Sequence, residues 1–232
     1  MHSSLCFTDY PDRSAASAAA AERLAAGLRD DLDRRGAGSL VVSGGTTPGP
    51  CFDLLSEMPL DWKRVRVVPS DERWVPPADP NSNERLIRER LLRNAAAGAG
   101  FIPLCRDGLE PDAAPAAVER DLATLGGPFS GVLLGMGADG HFASLFPDFA
   151  GLPDALDPAS AARCVVVRTA GSPFVRISLT LAALLHAREI TLLFFGDEKR
   201  EVFEAAEAGD AGLPVSALLA QQTVPVTALW AP

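Results

Sequence analysis

The sequence lacks closely spaced cysteines and long apolar runs, and each absence excludes a class of protein. Its 4 cysteines, Cys6, Cys51, Cys105 and Cys164, form no C-x-x-C pair, so neither a disulfide framework nor a zinc cluster is indicated. The longest apolar stretches, such as residues 190–195, have the length of a strand, whereas a membrane span needs about 20 residues. The amino-terminal segment has neither the basic start nor the apolar core of a secretory signal. We therefore expect reduced thiols, a cytoplasmic location and no membrane partner.

Positive charge is also scarce. The chain has 30 acidic and 21 basic residues, a net charge of -9, which repels nucleic acids and anionic membranes at long range. We expect no nucleic-acid partner, and nothing implies an obligate protein partner. An anionic small-molecule substrate would need a local cluster of basic groups.

What is present is the alternation typical of an α/β protein. The length of 232 residues fits one large domain or two small ones, and because no linker-like stretch appears we predict a single domain over residues 1–232. Short β-branched runs alternate with longer stretches of helical period, which predicts a mostly parallel sheet flanked by helices. The predicted strands are residues 5–8, 39–43, 65–69, 131–134, 164–167, 175–179, 190–195 and 224–230. The predicted helices are residues 14–35, 84–94, about 111–125 and 197–209, and a long surface loop is expected over 146–162.

Residues 41–49, VVSGGTTPG, are the first segment that indicates a binding site. Glycines let the backbone approach a ligand closely, Pro48 suits the first turn of a helix, and a helix start offers unpaired N–H groups to an anion. The pattern predicts a phosphate cradle. An ordinary turn between strand and helix would explain the glycines equally well, and no Walker A lysine follows.

In the second segment the predicted strand 65–69 runs directly into Asp71, Glu72 and Arg73. Ligands of open parallel sheets bind beyond the carboxyl ends of strands, so charged residues are placed there for function. A solvated turn with an arginine–carboxylate pair is the alternative. We favour a functional role for Asp71 and Arg73 and a structural one for Glu72.

The third segment, residues 130–148, contains G-x-G-x-x-G after a strand, a pattern shared with dinucleotide-binding proteins. We reject that interpretation, because Pro147 would limit the following helix to residues 142–146, whereas a Rossmann crossover needs a full helix. The segment also carries Asp139 and His141. Of the 3 histidines, His2 lies in the terminal segment and His186 fits a packed or surface helix position. His141 follows a glycine-rich turn at a strand end, where imidazole can exchange protons near neutral pH.

The fourth signal comes from Arg176, in or before a predicted strand, and Lys199, in the first turn of a predicted helix. A cation at a helix N-terminus opposes the helix dipole, so Lys199 is better explained if an anion binds beside it. The alternative is a solvated helix start whose dipole Asp197 and Glu198 already satisfy.

Taken in order, the motifs SGGTTP, DERWVP with PNSN, GMGADGHFASLFP, RISLT and GDEKREVF resemble the 6-phosphogluconolactonase family over essentially the whole chain. The resemblance implies a Rossmann-like α/β fold shared with glucosamine-6-phosphate deaminases. It also implies an enzyme, a carboxylic ester hydrolase that converts 6-phospho-D-glucono-1,5-lactone to 6-phospho-D-gluconate in the pentose phosphate pathway. No metal and no organic cofactor are implied. Two departures from the family pattern are the missing lysine before Arg176, in GSPFV, and Phe142 in place of a threonine.

For lactone hydrolysis, we expect the following roles for the candidate residues. His141 would take a proton from the attacking water, Asp139 would orient His141 or hold a sugar hydroxyl, and Arg73 would face either the oxyanion or the phosphate. No serine or cysteine nucleophile is needed, and Ser144 is expected in the short helix 142–146. The predicted substrate- and phosphate-binding groups are Gly44, Gly45, Thr46, Asp71, Arg176 and Lys199.

Two alternatives to this function stay open. A glucosamine-6-phosphate deaminase would need a carboxylate for proton transfer at C2, which Asp71 could in principle supply. A sugar-phosphate sensor without turnover would ordinarily carry a DNA-binding helix-turn-helix, for which the chain has neither spare length nor a basic region.

Overall fold

A parallel sheet of seven strands lies at the centre of the computed structural model, which describes residues 5–232. His2 therefore lies outside the described residues. The strands are β1 Leu5–Asp9, β2 Gly38–Val42, β3 Val65–Pro69, β4 Asp71–Arg73, β5 Gly100–Phe101, β6 Gly131–Leu134, β7 Cys164–Val167, β8 Arg176–Leu179, β9 Ile190–Phe195 and β10 Val226–Ala231. Their order in the central sheet is β1-β10-β9-β6-β2-β3-β5. The predicted mostly parallel α/β architecture is confirmed.

Helices cover both faces of this sheet. They are α1 Arg13–Arg35, α2 Gly49–Glu57, α3 Asn83–Arg90, α4 Ala114–Ala123, α5 Leu152–Leu156, α6 Leu181–Leu184, α7 Asp197–Glu207 and α8 Val215–Ala220. Helix α1 begins where the Asp12 side chain accepts a hydrogen bond from Ala15 N at 2.8 Å, and it ends at Gly36 in a left-handed conformation. Both are ordinary helix-end signals. In the described part of the chain no helix is long and apolar enough to cross a membrane.

Two apolar layers form because successive strand residues point to opposite faces of the sheet. Leu40 and Val42 of β2 pack into the layer that contains buried residues of α1, α2 and α3, whereas Val41 packs into the layer under α4, α6, α7 and α8. Strands buried on both faces read as continuous apolar runs. β6 is buried throughout, and β3, β6, β7 and β9 have the bounds that the sequence predicted.

A second sheet, antiparallel and in the order β4-β8-β7, lies beyond the carboxyl end of β3. In its register Asp71 is opposite Ser178, and Arg73 is opposite Arg176. The sequence predicted β7 and β8 but not β4 or this pairing. The antiparallel sheet brings the second and fourth sequence segments together.

Two local predictions are wrong. Residues 142–146 form a tight turn rather than a short helix: Leu145 N donates to Phe142 O at 3.0 Å, and Ala143 has a φ of +49°. Phe142 is completely buried in the apolar core, which explains why an apolar residue is tolerated there. The predicted loop 146–162 contains the short helix α5.

Candidate active site

A cavity of about 230 Å³ opens where the carboxyl ends of β2, β3 and β6 meet. In the central sheet, β3 lies on one side of β2, whereas β6 lies on the other side of β2 and is followed there by β9. Such a reversal of strand order leaves a crevice that binds ligands in open α/β sheets. The cavity is lined by Ser43, Gly44, Gly45, Thr46, Thr47, Asp71, Arg73, Asn83, Gly135, Met136, Gly137, His141, Ala143, Arg176 and Lys199. Among them are all the predicted site residues except Asp139, which stands beside His141.

The loop after β2 forms one wall of this cavity. A β-carbon at Gly44 would overlap the Asn83 side chain, and Gly45 has a φ of +87°, so both positions favour glycine for a physical reason. The loop leads into α2, with Pro48 at the helix start. Helix starts carry free N–H groups and partial positive charge. These are the features from which the sequence predicted a phosphate cradle, and that role stays a prediction.

Two arginines stand opposite each other on the antiparallel sheet. Arg73 Nη1 donates to Asn81 O at 2.8 Å and to Asn83 Oδ1 at 3.1 Å. The Arg176 side chain is 14% exposed, and burial together with the charge of Arg73 lowers the pKa of its guanidinium. Arginine nevertheless keeps its proton near neutral pH. The two arginines bring positive charge to the cavity of an otherwise acidic chain.

Asp71 precedes Arg73 by two residues on β4, and its carboxylate accepts hydrogen bonds from two serines of the protein. Oδ1 accepts from Ser70 Oγ at 2.9 Å, and Oδ2 accepts from Ser144 Oγ at 2.5 Å. Arg176 Nη1 is 3.8 Å from the same Oδ2. Asp71 therefore lines the cavity with both oxygens already in hydrogen bonds.

Lys199 reaches the cavity from the first turn of α7, which follows Gly196 at a φ of +89°. Burial lowers the pKa of its amine, and the charges of Glu198 and Asp139 act in the opposite direction. The lysine is thus a partly buried cation beside the cavity, as expected if an anion binds there.

His141 and Asp139 form a close pair at the carboxyl end of β6. His141 Nδ1 lies 2.5 Å from Asp139 Oδ1. Partial burial alone would raise the pKa of Asp139, but the hydrogen bond and charge of His141 outweigh it, and the pKa lies below its usual value. An ionised carboxylate accepts hydrogen bonds and donates none, so it selects the tautomer with hydrogen on Nδ1. Nε2 is then the nitrogen that can accept a proton.

The sequence did not identify two further residues of the site. Asn83 is part of the motif PNSN and was assigned no role in the site, yet its Nδ2 donates to Asp71 O at 2.8 Å and its Oδ1 accepts from Arg73 Nη1 at 3.1 Å. Phe146 lies with its ring centroid 4.3 Å from that of His141 and 5.0 Å from the Arg176 guanidinium carbon. Asn83 could have been suspected from the segment PNSN. The contacts of Phe146 depend on the turn over 142–146.

Glu72 has a structural role, as the sequence suggested. It is buried and accepts hydrogen bonds from the backbone of Asn83 at 2.7 Å and of Glu84 at 2.6 Å. Burial raises the pKa of this carboxyl, although these hydrogen bonds oppose the rise. Glu72 thereby fixes the start of α3, and with it Asn83.

Comparison with known proteins shows the family to which the chain belongs. The family model described as "Glucosamine-6-phosphate isomerases/6-phosphogluconolactonase" matches residues 11–229. A 6-phosphogluconolactonase of Mesorhizobium japonicum is 41% identical over 96% of this chain and 94% of its own length. The one from Caulobacter vibrioides is 41% identical over 92% and 91% of the two chains. The crystal structure of a 6-phosphogluconolactonase from Shewanella baltica superimposes with a TM-score of 0.93 at 38% identity and covers 100% of both chains. A monomeric glucosamine-6-phosphate deaminase shares the fold, with a TM-score of 0.78 at 19% identity over 97% of each chain.

Proposed function

Because the chain belongs to the family of glucosamine-6-phosphate isomerases and 6-phosphogluconolactonases, we propose that its cavity hydrolyses 6-phospho-D-glucono-1,5-lactone to 6-phospho-D-gluconate. The relatives compared above at 41% identity, and the Shewanella baltica structure at 38%, are all named 6-phosphogluconolactonases. The observation that carries the proposal is the Asp139–His141 pair, because His141 lines a cavity that is also lined by a glycine-rich loop and by the cations Arg73, Arg176 and Lys199. The reaction places the enzyme in the pentose phosphate pathway.

In the proposed chemistry, His141 acts as a general base. Its Nε2 takes a proton from a water molecule as the water oxygen bonds to C1 of the lactone, which leaves a tetrahedral oxyanion. The oxyanion collapses, the bond from C1 to the ring oxygen breaks, and the imidazolium returns its proton to that oxygen. Asp139 holds the reactive tautomer and stabilises the transient imidazolium. Such a base contributes about 100-fold to 10,000-fold in rate.

In this proposal the loop after β2 and the neighbouring cations of the cavity hold the 6-phosphate. Backbone N–H groups of Gly44 and Gly45, the Thr46 hydroxyl, and the charges of Arg176 and Lys199 form the proposed anion site. Arg73 belongs to the same side, since it shares Asn83 with the Gly44 wall and stands opposite Arg176 in the sheet. Binding energy from the distant phosphate then positions C1 beside His141.

The deaminase alternative needs a free carboxylate for proton transfer at C2. Asp71 was the candidate, and both of its oxygens accept hydrogen bonds from buried serines. The deaminase compared above is 19% identical, a likeness that concerns the fold alone. We therefore prefer hydrolysis.

The test generates the lactone in place with glucose-6-phosphate dehydrogenase and follows its loss against the spontaneous background. We expect a large acceleration with the protein, and a much smaller one with glucono-1,5-lactone, which has no phosphate. A parallel assay measures ammonia release from glucosamine 6-phosphate. Ammonia release without lactone hydrolysis would refute the proposal and favour the deaminase; ligand binding with neither reaction would favour the sensor.

A further inference from the structure

Ser144 is a completely buried serine that the proposed hydrolysis does not use. Its hydroxyl donates to Asp71 Oδ2 at 2.5 Å, and its backbone N–H donates to Ser178 Oγ at 3.2 Å. Ser178 is the residue opposite Asp71 in the antiparallel sheet. The tight turn at Ala143 thus ties the His141 segment to the strands that carry both arginines.

The Ser144 hydroxyl also lies next to Arg176, near the contact between Arg176 and Asp71. Arg176 Nη1 donates to Ser144 Oγ at 3.4 Å and lies 3.8 Å from Asp71 Oδ2. The second distance is longer than a direct charge-assisted hydrogen bond of about 2.7–2.9 Å. The guanidinium therefore stays close to its counter-charge without closing a direct hydrogen bond to it.

An Asp71 carboxylate without the hydrogen bond from Ser144 would attract the Arg176 guanidinium more strongly. Arg176 and Asp71 are both largely buried, with 14% and 7% of their side chains exposed, and attraction between opposite charges is strong where water is excluded. Without the Ser144 hydroxyl, Asp71 Oδ2 would lose its donor, and Arg176 Nη1 is the nearby group that can replace it. A closed pair would draw the guanidinium toward Asp71 and away from a bound anion.

We propose that Ser144 is a positioning residue for phosphate binding: it holds Asp71 at a distance from Arg176, so that Arg176 remains directed to the substrate phosphate. This inference rests on the proposed function for the identity of the anion. It also gives Asp71 a role as a fixed counter-charge rather than as a substrate ligand or a base.

The test compares wild type with Ser144→Ala in lactone hydrolysis and in binding of inorganic phosphate. Partial loss of one charge-assisted contact predicts a rise of about tenfold in KM, with kcat within about twofold. The Kd of inorganic phosphate, measured from the concentration dependence of the thermal unfolding midpoint, should rise in parallel. Ser144→Cys keeps the volume and a weak donor, and we expect a smaller rise in KM.

Ser130→Ala is a matched control. Ser130 is equally buried, and its hydroxyl donates to buried Asp31 at 2.7 Å, next to the amino end of β6 and so at the opposite end of the sheet from the cavity. This variant should lose stability and leave KM unchanged. A double-mutant cycle with Asp71→Asn adds a second criterion, because a hydroxyl that acts through Asp71 should have little effect once the carboxylate is replaced.

The possible outcomes separate the inference from the function on which it rests. A drop in stability for Ser144→Ala like that of Ser130→Ala, with unchanged KM and unchanged phosphate affinity, overturns the inference. A fall in kcat at constant KM also overturns it, because the hydroxyl would then act on the chemistry. If wild type fails to hydrolyse the lactone, the proposed function is wrong, and the phosphate measurements still decide whether Ser144 positions Arg176.

Discussion

Replacing Gly137 by alanine should separate the His141–Asp139 pair without removing either side chain. A β-carbon at this position would overlap His141 Nδ1 and lie 2.5 Å from Asp139 Oδ1, closer than van der Waals contact allows. The imidazole can move, so the fold should persist at an overpacking cost of about 1–3 kcal/mol. The displaced ring, however, loses its hydrogen bond and its orientation. We expect kcat to fall about 100-fold, the lower end of the range for a general base.

The assay is lactone hydrolysis at saturating substrate, combined with the phosphate Kd to show that the other wall of the cavity is intact. Gly171→Ala is the matched control, because the nearest atom to an added β-carbon there is Asp148 Oδ2 at 3.8 Å, an ordinary contact. We expect this control to retain wild-type kcat. A Gly137→Ala protein with wild-type kcat would refute the claim that the pair must be in contact during catalysis.

Three further predictions concern single side chains. The pKa of Asp139 is lowered in the folded protein. Its contribution to stability is therefore present above the unfolded pKa of about 3.9 and is lost as pH falls through the folded value. Asp139→Asn should be less stable than wild type in thermal melts at pH 7, and the difference should vanish in melts at acid pH. Burial lowers the pKa of Lys199, so the lysine loses its charge, and phosphate affinity falls, at a lower pH than for an ordinary lysine. Lys199→Arg keeps the charge and should remove this loss of affinity at alkaline pH. The same loss in the variant would contradict the assignment of Lys199 to the anion site. Phe146→Ala removes a ring that contacts both His141 and Arg176, so KM should rise about two- to fivefold and kcat should also fall, whereas a change in KM alone would show that the contact with His141 is unimportant.

Local sequence signals predicted much of the fold. Strands such as β3 and β6 have the predicted bounds because their apolar residues end at a residue that disfavours sheet, Pro69 in β3 and Gly135 after β6. Helix α1 was recognisable from its alanines and from Gly36, which closes it in a left-handed conformation. In these cases the residues that specify an element lie within it or next to it.

Predictions failed where distant residues determine the structure. The charged residues of β4 have no strong preference for a strand, and they form one because β8 pairs with them from far along the chain. The turn over 142–146 depends on Ala143 at a φ of +49°, a conformation that alanine rarely adopts and that no sequence pattern signals.

The residues of the site also divide into those with a local sequence signal and those whose role depends on contacts between distant segments. The glycine-rich loop and the Asp139–His141 spacing are local patterns, so they could be recognised, and the carboxyl ends of β2, β3 and β6 then bring them to one cavity. Asn83, Phe146 and Ser144, which donates to Asp71, act through contacts between segments. Their roles follow from the fold and were not predictable from spacing.

The most direct test of the central claim is the rate of lactone hydrolysis by His141→Ala beside wild type, with inorganic phosphate affinity measured on both proteins. The account predicts that kcat falls by about 100-fold to 10,000-fold, while the phosphate Kd stays within about twofold, since the ring is not part of the proposed anion site. Equal acceleration by both proteins would contradict the assignment of His141 as the general base.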